Sequence, residues 1–178
     1  MANNFEKEMK KKSGKKWIAV ALVAVLVVAA VLGMDLRGAK DITDAESTGE
    51  TITVTMAILC DTAAEKNKSE GAAVEYIPED GKVLKSTEYK IEKDASVLDL
   101  LKKVTAAEGI HMELEKDTVF GYYLTGLNHL YSGDYGQMSG WLYYVNDEVP
   151  MYGIGEYKLS DGDVVEFKYS CEGGEDLM

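Results

Sequence analysis

The sequence predicts an α+β fold, a mixed sheet with one packed helix, preceded by an N-terminal transmembrane or signal helix. Three observations predict it: stretches that alternate apolar and polar residues, one stretch with apolar residues at helical spacing, and a charge-free run near the N-terminus. At 178 residues the chain has room for one domain of ordinary size and a small terminal segment.

Residues 1–16 carry six Lys and two Glu and are expected in the cytoplasm. Trp17 to Met34 then reads WIAVALVAVLVVAAVLGM, without a charge. A bilayer core takes about 17–25 apolar residues at about 1.5 Å each, so this run just spans. It reads either as an uncleaved anchor or as a secretory signal cut after Val28-Ala29-Ala30. Val31 and Leu32 continue the apolar run past that point, which favours the anchor. Both readings export the rest of the chain, as a single-pass membrane protein or a secreted one.

The formal charge of −12 divides into +4 on residues 1–34 and −16 on residues 35–178. A body that acidic cannot neutralise phosphates by counterion release, which excludes nucleic acid.

Residues 35–50 are polar, lack an apolar period and read as a flexible stalk; residues 51–178 form the folded domain. From Thr51 the chain alternates, with Ile52, Val54, Met56, Ile58 and Cys60 on one face, as a half-buried strand does. Residues 61–73 are polar and Ala-rich and read as a loop. Asp80-Gly81 signals a turn into a second strand, Val83–Glu92. Asp94 or Ser96 can cap a helix with Val97, Leu98, Leu101 and Val104 on one stripe, ending at Gly109. Met112 and Leu114 mark a short strand, Trp141–Val145 a strand ending in the Asn146-Asp147 turn, and Val164–Cys171 the last strand.

Cys60 and Cys171 both fall at the carboxyl end of a strand, in phase with its apolar face. Outside the cytosol, with first and last strands parallel neighbours, a disulfide between them is expected; two buried free thiols are the other reading. Strand, strand, helix, then strands, with the first and last adjacent and parallel, is the plan of a β-grasp.

Nine of the eleven Tyr fall between 122 and 169, with Trp141 among them and eight Gly between 121 and 162. Rings beside a close-approaching backbone suit a surface that stacks on a flat ligand. Tyr143 and Tyr144 point to opposite faces of one strand, so at least one lies outside the core. His111 and His129 lie far apart in sequence and read as surface residues, and Asp161-Gly162-Asp163 reads as a hairpin turn before it reads as a calcium site. No nucleophile motif, phosphate loop or dinucleotide fingerprint occurs, so the sequence gives no support for an enzyme and requires no cofactor or metal.

Ser139-Gly140-Trp141-Leu142-Tyr143-Tyr144-Val145-Asn146, with Pro150, Gly153 and the run Tyr157 to Glu166, resembles one family. It is the family of exported bacterial domains of unknown function related to the C-terminal domain of transcobalamin and intrinsic factor. Cys60-Asp61-Thr62, Tyr76 to Gly81, Ser96 to Lys102 and Gly126 to Tyr131 extend the resemblance over about residues 51–177. It implies a soluble-ligand-binding β-grasp and, as ligand, cobalamin or another corrinoid held near the Gly140-Trp141 strand. Relatives often carry a second cysteine pair where this chain has Tyr135 and Ile154, and the helical barrel that completes the transcobalamin clamp is absent.

The expected site is therefore Ser139, Gly140, Trp141, Tyr143, Asn146, Tyr123, Tyr135 and Tyr152, with Trp141 stacking, Gly140 admitting the backbone, and Ser139 or Asn146 hydrogen bonding. The partner is a small molecule, or, in the other reading, a surface protein that meets the tyrosines on a flat exposed patch.

Overall fold

The computed structural model describes residues 38–45, 47, 49–70, 76–117 and 121–177. The basic segment and apolar run expected at 1–34 lie outside them. Among the described residues no helix is long and apolar enough to cross a membrane.

Eight strands and two helices follow in chain order: β1 (Lys40–Asp41), β2 (Thr51–Leu59), α1 (Asp61–Glu70), β3 (Lys82–Glu92), α2 (Val97–Glu108), β4 (Met112–Asp117), β5 (Gly121–Leu127), β6 (Leu130–Tyr131), β7 (Gly140–Val145) and β8 (Val164–Ser170). They form a five-stranded sheet in the order β1-β3-β2-β8-β7 and a three-stranded sheet in the order β4-β5-β6. The first long strand runs parallel to the last, from Thr55 opposite Val164 to Leu59 opposite Lys168, the neighbourhood that the expected strand order requires. Flanking pairs β2/β3 and β7/β8 are antiparallel, so the sheet is mixed.

One face of this sheet supplies the core. Val54, Met56 and Ile58 of β2 and Val165, Phe167 and Tyr169 of β8 are buried with Leu100, Leu101 and Val104 of α2. Removing each such side chain from water contributes about 1.5–3 kcal/mol. Ser96 starts α2 with a complete capping box: its hydroxyl accepts from Asp99 N (3.1 Å) while its own N–H donates to Asp99 Oδ2 (2.8 Å). Burial alone would raise the Asp99 carboxyl, but the bonds that the Ser96 hydroxyl (2.7 Å) and N–H donate to Oδ2, with Lys158 and Lys102 nearby, hold it below its ordinary 3.8. Carbonyls of Tyr157 and Ile154 accept from Val97 N (3.1 Å) and Leu98 N (2.8 Å), two donors that a helix start leaves open. Gly109 closes the helix in the left-handed region.

Three expectations are corrected. The segment read as a loop at 61–73 holds α1, anchored by buried Ala63 and Ala64, with Ala64 N donating to Cys60 O at 2.9 Å. Alanines satisfy a helix but leave no wide apolar stripe to read. Part of the expected stalk is docked: β1 pairs with β3, Ile42 N donates to Lys90 O (3.0 Å), and Lys40 reaches Glu108 (2.7 Å).

The expected disulfide is absent; both cysteines are buried free thiols. The parallel register places Cys60 opposite Tyr169, two residues short of Cys171. The chain then turns into α1, where Thr62 donates to Tyr169 O (2.6 Å) and its hydroxyl lies 3.7 Å from Cys171 Sγ. Burial, with the neighbouring Asp61 and Asp80, pushes the Cys60 thiol up to about 12.

Candidate functional site

Two strands that lie in different sheets border a cavity of about 220 Å³. Tyr122, Tyr123 and Leu124 of β5 line one side, Trp141, Leu142 and Tyr143 of β7 the other, and Val149, Ile154 and Phe167 close it. Side chains alternate faces along a strand, so three consecutive residues on each side mean that the cavity meets both strands edge-on.

Three expected site residues stand in this wall: Tyr123, Trp141 and Tyr143. Tyr123 is 55% exposed and contributes a free ring. Tyr143 stacks on Phe167 (6.1 Å between centroids) and its hydroxyl donates to the Tyr152 carbonyl. Burial, then Tyr157 and Glu156, push its phenol up to about 12.

Trp141 departs from its expected role as an open stacking platform. It is only 6% exposed, lies edge-on to Tyr169 (5.3 Å), and donates from Nε1 to the Leu130 carbonyl (2.9 Å). It shares the core face of the sheet with Tyr169 and Phe167, so the cavity touches a ring already held by the fold.

The other five expected residues are used by the scaffold around the cavity. Ser139 is buried, donates to Gly136 O (2.8 Å), accepts from Tyr135 N (3.1 Å) and lies 3.0 Å from the Tyr169 hydroxyl. Gly140 pairs with Ser170, and a Cβ there would meet Ser132 Oγ at 3.1 Å, so the close approach it allows is taken by the protein's own Ser132 side chain. Asn146 and Asp147 take φ of 54° and 65°, the hairpin geometry their sequence predicts. The Asn146 side chain donates to Asp163 (2.9 Å) and accepts from Val164 N (2.9 Å). Tyr135 bonds Asn67 through its hydroxyl. Tyr152 is 63% exposed and supplies a carbonyl to Tyr143.

The sequence reading missed Tyr122, Leu124, Leu142, Val149, Ile154 and Phe167 of the wall. A Tyr-Tyr pair opening β5 was the available signal, but β5 itself was not read as a strand. Lys102 and Lys116 stand 5.0 and 5.8 Å from the Tyr122 ring centroid, setting two ammonium groups at the rim.

His111 and His129, expected to be unrelated, stack at 4.2 Å with Tyr76 beside His129 at 4.7 Å. Among the described residues no group of three or more His, Cys, Asp or Glu is placed to hold a metal ion. Asp161 accepts from Thr53 N (2.8 Å) and Asp163 from Ser160 N (2.8 Å), so the acidic turn is occupied in hydrogen bonding.

Comparison with known proteins locates this architecture. Residues 94–171 match a family described as a domain of unknown function, DUF4430. No curated protein matches. The crystal structure of haptocorrin in complex with Cbi is similar at a TM-score of 0.50 and 16% identity, covering 70% of this chain and 26% of haptocorrin. A proposed metal-binding protein from Ruminococcus gnavus ATCC 29149 is similar at 0.41 and 14% identity, over 67% of this chain and 96% of its own. The chain thus spans about a quarter of haptocorrin's length, and what the two share is the fold of one region.

Proposed function

We propose that the domain is an extracytoplasmic binding module, tethered through residues 17–34, that holds a flat, partly apolar ligand in the cavity between β5 and β7. The observation that carries this reading is the cavity itself: aromatic on both sides, with Tyr123, Trp141 and Tyr143 in its wall.

A corrinoid is the ligand class that the transcobalamin resemblance favours, and the fold shared with haptocorrin, solved with Cbi, supports the same class. A cavity of about 220 Å³ takes an edge or side group of such a molecule, the rest lying across exposed Val149, Met151 and Tyr152. Affinity would come from ring burial, and no cofactor is needed.

Calorimetric titration of the full-length chain with cobinamide and with indole tests this reading. Saturable heat with either ligand, weakened about tenfold or more by Tyr123→Ala, is expected. Heat from indole alone removes the corrinoid, and no heat from either at high micromolar concentration sinks the site.

A further inference from the structure

Beside the cavity, β7 is the border strand of the five-stranded sheet among the described residues. Asn146 N donates to Val164 O, whereas Val145 exchanges hydrogen bonds with Glu148 on the other side of the strand. Alternate residues of an antiparallel strand face opposite edges, so Trp141 and Tyr143, in phase with Val145, turn their N–H and C=O away from β8. No strand pairs with that edge among the described residues. Across the cavity, β6 covers only Gly126 and Leu127 of β5, and Ser132 N takes the Thr125 carbonyl (2.9 Å). Among the described residues, 121–124 pair with a strand on the β4 side only.

We infer that this border accepts an extended peptide from a partner protein, added as a strand along Trp141–Tyr143 with one apolar side chain seated in the cavity. The inference rests on the cavity being a binding site and names the occupant's chemistry. Strand addition needs two things, unpaired main-chain groups for affinity and a side-chain pocket for selection, and here they coincide. The volume of about 220 Å³ suits a single aromatic or branched aliphatic side chain. Charge at the rim refines the occupant. Lys102 and Lys116 flank Tyr122 and form no ion pair among the described residues, so an acidic residue beside the anchor finds a counter-charge. The −16 on residues 35–178 repels a run of acids, which limits the segment to one.

Panning a phage-displayed library of random dodecapeptides on the full-length chain tests this, with the selected peptides measured by fluorescence anisotropy. Enriched sequences should alternate, carry one aromatic or branched apolar anchor and place an acid near it. N-methylating alternate amides should weaken binding about tenfold or more in one phase and less than about twofold in the other, because only one edge of a strand pairs. Equal sensitivity in both phases, or no enriched sequence, overturns strand addition. Indole separates this from the underlying site: peptide binding that indole fails to displace lies elsewhere and overturns the inference. Indole binding without any peptide overturns the inference and leaves the cavity a small-molecule site. Failure of both removes site and inference together.

Discussion

At one border of the five-stranded sheet, β1 is a two-residue strand pinned by Lys40 to Glu108, and its Ile42 neighbour packs against the core. At the other border, β7 has no strand partner on the side of Trp141 and Tyr143 among the described residues, beside an aromatic cavity. A short, charged strand is a common way to blunt a sheet edge. The contrast shows that a protein able to close an edge keeps a second one open, at the place where tyrosines collect. The closed side should carry stability and the open side recognition.

The largest effect expected is on the closed side. Leu101→Ala empties a fully buried position under the sheet and should lower unfolding free energy by about 2–5 kcal/mol in a urea titration. A loss below about 1 kcal/mol would mean that α2 is not part of the core. Ser96→Ala removes half of the capping box and should lower stability by about 1 kcal/mol. It also alters the acid limb. Because the Asp99 carboxyl is held below 3.8, its contribution is present above that pH and fades as pH falls through the lowered value. Comparing urea midpoints at pH 6 and near pH 3 should show wild type and Ser96→Ala converging in acid. The smallest effect belongs to the open side: Tyr123→Ala should change stability by less than about 0.5 kcal/mol while weakening any ligand of the cavity. A large loss of stability there would erase the division.

Legibility follows the same division. β2 and β8 were readable because burial alternates along most of their length, β7 because an apolar run meets the Asn146-Asp147 turn, and α2 because one stripe, a capping Ser and a closing Gly agree. The mixed α+β class followed from those elements, and the first long strand lies beside the last. Where burial rests on small or mixed residues, the signal fades: α1 hides only Ala63 and Ala64, and β5 begins with two exposed tyrosines. The cavity itself has no local signature, since its walls are about twenty residues apart and meet only because β5 and β7 end in separate sheets. Composition pointed at an aromatic stretch, three of whose expected residues line the cavity. It could not tell that Trp141 spends its N–H on Leu130 or that Ser139 and Asn146 serve neighbouring turns.

The unjoined cysteines have a practical consequence. Cys60 and Cys171 lie at the ends of the two central parallel strands, buried, with thiols kept protonated at neutral pH by their surroundings. An alkylating reagent attacks the thiolate and needs access to it, so modification has to wait until β2 and β8 part. The chain thus carries its own clock for opening of the sheet's centre. Its ticks are mass increments, readable in a cell extract where no optical probe of the domain is available.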